Sequence, residues 1–290
     1  MNLKNVVQNI VTSLRKKEMK NIMTKYDNII IKCDENKNKI MGNEPKMINS
    51  NIIFRGNNNI LFCEENVKLK NTTLQFNGNN SIIYLSSNKH EYYLNVAIYN
   101  YSVLFMDENN YMNGKLNIIF SEQKNVIIGK ECLFSFGIWM RLADAHLIYD
   151  VDTKKRTNLS KSICIGDHVW ISQNSMILKG TKIGSGSIVG AMAVVTNKSI
   201  SSNTIWAGNP AKEIKRNIYF KDNCVHKYTD KETELSIIDN SDDYIYNTSS
   251  DTQNFNEIDI KLHNMGSVEE KINYLRELRN FKSKNRFFIK

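Results

Sequence analysis

The chain has 290 residues, 41% of them hydrophobic and 24% charged, which is enough to bury a sizeable core. No stretch reaches the roughly 18 consecutive apolar residues of a membrane-spanning helix, and Asn, Gln and Lys break the opening MNLKNVVQNIVTSLRKK too often for a secretory leader. The net charge of +9 sits at the two ends: six Lys/Arg against one Glu in residues 1–25 and seven against three in residues 267–290 leave the body near neutral, which excludes the basic body face of a nucleic-acid-binding fold.

Residues 2–26 read as an amphipathic helix, with Leu3, Val7, Ile10, Leu14, Ile22 and Tyr26 on one face. It forms the first unit, residues 1–27. Residues 28–50 are polar, with a short strand expected around Ile29–Ile31. A repeat follows: Phe54-Arg-Gly-Asn-Asn-Asn-Ile60 returns 22 residues later as Phe76-Asn-Gly-Asn-Asn-Ser-Ile82, each time leading into an apolar strand. Gly and Asn visit the left-handed backbone region cheaply, so the GNN units read as corners of a coil. A shift of 22 fits a coil of 18 plus a short loop. Irregular coils are therefore expected from near Ile52, through Val96–Phe105 and Leu116–Phe120, becoming regular at Val126.

From Ile165 to Ile200 the period becomes six: IGDHVW, ISQNSM, ILKGTK, IGSGSI, VGAMAV, VTNKSI. Each block opens on Ile or Val, and most hold a small residue at the fifth place. Six is neither the helical period nor a hairpin alternation; it is the period of a parallel β-helix, one short strand and one corner per block. One long polar segment, residues 141–162, interrupts the coils, and a loop of that length inside a compact solenoid is usually functional. The pattern closes with Trp206-Ala-Gly-Asn-Pro-Ala-Lys212. Residues 221–266 carry few strand or helix signals and are expected to be irregular. Ser267–Lys284 opens with a capping S-V-E-E and reads as a helix carrying Ile272, Leu275 and Leu278. The units are thus an N-terminal helix, a β-helix domain over 28–216 and a C-terminal extension over 217–290. The five cysteines (Cys33, Cys63, Cys132, Cys164 and Cys224) are odd in number, widely spread and form no C-x-x-C, which reads as free thiols in a reducing cytoplasm, with no metal site.

The blocks at 165–200 with Ala207-Gly-Asn-Pro-Ala-Lys212 resemble the hexapeptide-repeat acyltransferases of the left-handed β-helix type. Asp144-Ala-His-Leu-Ile-Tyr-Asp150 with Lys155-Arg156 resembles their sugar and polysaccharide O-acetyltransferase branch. The likeness covers about residues 126–216. It implies an all-β solenoid, a left-handed parallel β-helix with helical appendages at both ends. It also implies a homotrimer that binds acetyl-CoA between neighbouring prisms and acetylates a carbohydrate hydroxyl; an amine of a nucleotide-linked amino sugar is the alternative acceptor.

On the same resemblance His146 takes the place of the catalytic base. A hydroxyl is a poor nucleophile at neutral pH, and an imidazole can remove its proton as the oxygen attacks the thioester. Asp144 or Asp150 is expected to orient the ring. His168, inside a regular block, reads as structural. Trp170 is expected to point out into the groove between subunits. The cofactor positions are Ser172 and Gln173, Gly190 and Ala191 (a coil of 18 stacks Gln173 under Ala191), then Thr196, Asn197 and Lys198, with Lys212, Lys215 and Arg216 toward the phosphate end of CoA. The basic termini leave room for peripheral association with a membrane or a larger enzyme on the cytoplasmic side.

Overall fold

The computed structural model describes residues 30–290; the helix expected over 2–26 lies outside them. The chain forms a left-handed parallel β-helix of about seven turns. Its first face is a nine-stranded sheet, its second a seven-stranded one, and its third joins a two-stranded and a six-stranded sheet. The first face opens with β1 (Ile30–Cys33), antiparallel to β2 (Lys39–Gly42); from β2 onward its strands are parallel. The coils therefore start at Lys39, earlier than the expected Ile52.

The early coils are regular as well. Ile60 lies over Ile82, 22 residues on, through an unbroken four-residue register. Between Trp170 and Ile188 the step is 18. The early coils are thus wide versions of the same triangle, and the extra residues sit in the corner between the second and first faces. The corner residues Asn58 and Asn80 take φ of 53° and 57°, the left-handed values that the GNN spacing called for. Small residues let successive corners approach: a Cβ on Gly56 would lie 2.0 Å from the carbonyl oxygen of Gly78. Inside, buried columns in register fill the prism; on the first face one runs from Cys63, Leu85 and Met106 through Ile128 to Ile165, Ile183 and Ile200, with Leu61, Ile83, Leu104, Val126 and Ile163 beside it in the lower coils.

The C-terminal extension is packed onto the solenoid. Residues 221–266, expected to be irregular, contain helices α1 (Asp230–Leu235) and α2 (Phe255–Asn264); α3 follows at Val268–Asn280. The missed signal in α2 is Phe255, Ile258 and Leu262 at helical spacing behind the N-cap Asn254, whose side chain accepts from the Asn256 N–H. In α3 the Ser267 capping box is present as its sequence implied. The helix stops at Asn280, short of Lys284, because the chain must turn to insert Arg286 and Phe287, both fully buried. Phe255, Ile258, Leu262, Ile272, Leu275, Leu278 and Phe287 cover the outward side chains of the first face, among them Ile60, Phe62, Ile82, Tyr84, Val103, Phe105 and Ile127. Burial of this second apolar layer is what holds the extension in place.

The basic charge of the C-terminal segment is largely spent inside the molecule. Arg286 uses all three guanidinium nitrogens: Nε and Nη2 grip Asp167 at 2.8 and 2.7 Å, Nη2 also donates to Asp107, and Nη1 donates to the carbonyls of Leu278 and Phe281. Arg279 pairs with Glu64 and Glu108, Lys282 with Glu108, and Lys271 donates to the Tyr101 carbonyl.

Candidate active site

Residues 143–162 leave the solenoid at the edge between the second and first faces, after Trp139–Arg141, and return at Ile163–Ile165. The excursion is a small hairpin. Tyr149 bridges Arg156, the Thr157 N–H donates to the Ile148 carbonyl, and Asp150 caps the tip by accepting from Thr153 and Asp152. Leu147, Ile148, Tyr149, Val151 and Leu159 project from it, each more than half exposed. That much uncovered aliphatic surface on one hairpin marks a contact surface.

His146 sits on the first arm of this hairpin and is exposed. Its carbonyl accepts the Asn158 side-chain amide at 2.7 Å, while Asn158 Oδ1 accepts the Ile148 N–H at 3.0 Å. Its ring has no hydrogen-bond partner among the described residues. Neither expected carboxylate reaches it. Asp144 is paired at 2.5 Å with Lys179 of the next coil, which holds it below the usual carboxylate range. Asp150 is held low by the hydrogen bonds of Thr153 in its own turn.

Sequence reasoning missed the group that anchors the hairpin. Glu122, in the corner of the coil below, accepts Arg156 Nη1 at 2.5 Å and Nη2 at 3.1 Å, and the backbone N–H and hydroxyl of Ser160 at 3.1 and 2.5 Å. The Arg156 hydrogen bond, then that of Ser160, brings its carboxyl down to about 2. Nothing in the chain near Glu122 signals this; only the stacking of coils brings it under the loop.

Trp170 lies on the third face, opposite the edge that carries His146, with 37% of its surface exposed. It belongs to an outward column in continuous register: Tyr111, Leu133, Trp170, Ile188, Ile205. A second column, Trp139, Met176 and Val194, runs up the adjoining second face. Phe136 and Met192, both exposed, stand on the corner between the two. His168 is the structural residue its block implied. It is buried between the rings of Phe220 (4.1 Å) and Tyr244 (3.8 Å), with Nε2 3.0 Å from the Phe220 carbonyl. Burial pushes its pKa down.

The cofactor candidates fall into three groups. Ser172, Gln173, Gly190 and Ala191 form the corner between the third and second faces in two successive coils, and the Met192 N–H donates to the Gln173 carbonyl. Thr196, Asn197 and Lys198 are exposed on the opposite edge, in the coils above the hairpin that carries His146; Asn197 accepts Lys161 at 3.0 Å. Lys212, Lys215 and Arg216 line the last strand (Ala211–Arg216) of a terminal antiparallel hairpin with Thr204–Gly208, and Arg216 pairs with Glu213. One chain thus separates His146 from Trp170 and splits the cofactor residues between two edges. A cavity of about 360 Å³ lies at the solenoid end between Asn203, Arg216, Tyr219 and Tyr246, away from His146. Among the described residues no cluster of His, Cys, Asp or Glu is built to hold a metal ion, and no helix is long and apolar enough to cross a membrane.

Residues 165–197 match the family described as bacterial transferase hexapeptide (six repeats). The chain is 31% identical over 191 residues to a polysialic acid O-acetyltransferase of Neisseria meningitidis, covering 66% of this chain and 78% of the relative. A polysialic acid O-acetyltransferase of Escherichia coli O1:K1 / APEC is 38% identical over 100 residues; that match spans 34% of this chain and 32% of the relative's length. Among solved structures, the polysialic-acid-specific acetyltransferase NeuO superposes with a TM-score of 0.58 at 30% identity, over 66% of this chain and 92% of that one.

Proposed function

From the premise that this chain belongs to the hexapeptide-repeat acyltransferases, in their sugar and polysaccharide O-acetyltransferase branch, we propose that it transfers an acetyl group from acetyl-CoA to a hydroxyl of a surface carbohydrate, with His146 as general base. The observation that carries the assignment of His146 is its place on the one long hairpin of the solenoid, exposed, with a free ring and a backbone pinned by Asn158.

The chemistry follows from these parts. The imidazole takes the proton of the acceptor hydroxyl as its oxygen attacks the thioester carbon. The C–O bond forms, negative charge gathers on the carbonyl oxygen, and a backbone N–H stabilises it. The C–S bond then breaks, and the imidazolium returns its proton to the leaving thiolate. Gln173 and Ala191 at one corner, with Ser172 and Gly190 beside them, present backbone groups to the pantetheine arm. Thr196, Asn197 and Lys198, with Lys212, Lys215 and Arg216, receive the remainder and its phosphates.

The working form is a homotrimer. The first face is already covered by the C-terminal helices, so the apolar edge at Trp170, Phe136, Trp139 and Met192 is the surface left to bury. Pairing that edge with a neighbour's His146 edge unites the two halves of the candidate site. Trp170 then closes the groove against acceptor or cofactor, and Asp144 acts on His146 through the Lys179 pair that steadies the hairpin. The cytoplasm is the compartment proposed, where acetyl-CoA is made; the buried thiols of Cys63, Cys132 and Cys164, pushed up by burial, are compatible with reducing conditions.

The test is release of CoA from acetyl-CoA with a panel of bacterial surface polysaccharides. The His146→Ala protein is expected to lose at least a hundredfold in kcat while binding acetyl-CoA as before. Unchanged acceptor-dependent turnover by His146→Ala rejects the reading.

A further inference from the structure

Resting on the assignment of His146 as the base, we propose that Glu122 is a positioning residue: through Arg156 and Asn158, its carboxylate fixes the peptide that carries the imidazole.

Three observations carry this. The first is connectivity. Glu122 holds Arg156 by two hydrogen bonds; Arg156 Nε donates to Asn158 Oδ1 at 3.2 Å; and Asn158 Nδ2 donates to the His146 carbonyl at 2.7 Å. The same Asn158 oxygen takes the Ile148 N–H, so one buried amide ties the two arms of the hairpin on both sides of Leu147. The second is rigidity. Glu122 and Gln123 sit at φ of 49° and 58°, consecutive left-handed residues in a corner fixed by the coil, so the carboxylate is aimed by the solenoid and not by the hairpin it holds. Both ends of the hairpin's return arm, Arg156 and Ser160, are gripped by this one group. The third is need. The His146 ring has no partner of its own among the described residues, so its position is inherited from its backbone. A general base must come within hydrogen-bond reach of the hydroxyl, and a misplacement of about 1 Å costs on the order of a hundredfold in rate.

The Asp144–Lys179 pair and the Lys161–Asn197 bond hold the hairpin from the coils on the other side. Loss of Glu122 therefore leaves the hairpin attached but able to swing, and the solenoid beneath it intact.

The experiment uses the full chain with Glu122→Ala, Glu122→Gln, Asn158→Ala and the Glu122→Ala/Asn158→Ala double variant. Amide hydrogen exchange is measured without any acceptor, and acetyl transfer is measured with a sialic acid polymer as the acceptor probe. Expected for Glu122→Ala is at least tenfold faster exchange at residues 146–158, with unchanged exchange at 163–200. In turnover, kcat falls about 10- to 100-fold, KM for acetyl-CoA stays within twofold, and Glu122→Gln, which keeps one acceptor oxygen, recovers part of the loss. The double variant falls no further than the worse single one, as groups acting in one chain do. Unchanged exchange in the hairpin overturns the proposal whether or not the polymer is an acceptor. So does wild-type kcat, an additive double variant, or faster exchange through 163–200 in both Glu122 variants. A His146→Ala protein with full activity sinks the parent reading instead, and leaves the exchange result standing as a statement about the loop alone.

Discussion

Arg286 shows how much a single side chain carries here. Its guanidinium is fully buried between Asp107 and Asp167, both also fully buried, and its remaining donors take two main-chain carbonyls. A buried ion pair adds little against an apolar isostere, but removing one partner strands the other. Arg286→Met strands Asp167 and leaves Asp107 with Arg279 alone. The expected cost is about 3–5 kcal/mol, read as a lower urea midpoint, and adding Asp107→Asn and Asp167→Asn restores part of it. At this scale the sequence was informative only where a residue type and its setting coincided. His146 stood out as a histidine in the single long loop; Trp170 was placed outward by the family resemblance. Arg286, Asp107 and Asp167 were silent, because their meaning lies in a contact across 119 and 179 positions of chain. Glu122 was silent for the same reason, one coil below the loop it holds.

The segment after the last coil depends on stacking as well as burial. His168 enters from the solenoid corner at φ 52° and is sandwiched by Phe220 and Tyr244, and Asn203 donates to the carbonyls of Ile218 and Tyr244. Burial keeps the imidazole below its ordinary pKa, outweighing the nearby Glu131 and Asp222, which act the other way. The unfolded chain therefore takes up the proton first as pH falls below about 6.5. The stabilisation is present at higher pH and is lost on acidification toward the folded-state pKa. The urea midpoint of the wild-type protein should fall between pH 8 and pH 5.5 by more than that of His168→Phe; equal falls would assign the pH dependence to other groups. Among the elements, the six-residue blocks were legible because strand and corner repeat locally. Helix α2 was not, since its Phe255, Ile258, Leu262 stripe is short, is set among charges, and only acquires a partner in Ile127 and its neighbours on the first face.

Across the whole molecule the surface left uncovered is asymmetric. The C-terminal helices occupy the first face, and the apolar columns of Trp170 and Trp139 meet at the opposite corner. Light scattering of the wild-type protein should give the mass of three chains. Trp139→Glu with Met176→Glu, which places two carboxylates in one outward column, should shift the mass toward that of one chain and reduce transfer with it. Three-chain mass and full activity in that variant would move the interface elsewhere. The solenoid itself was readable from sequence through its period and α3 through its capping box, whereas the face that the covering helices occupy was not, because a helix laid across many coils leaves no periodic trace in them.

A stack of coils ordinarily behaves as a row of neighbours, each touching only the next, and such rows fray from an end. The extension changes that. Arg279 holds Glu64 near the bottom, and Arg286 holds Asp167 far above it. Rungs that would otherwise peel singly are belted together, so the expected melt is that of one cooperative body.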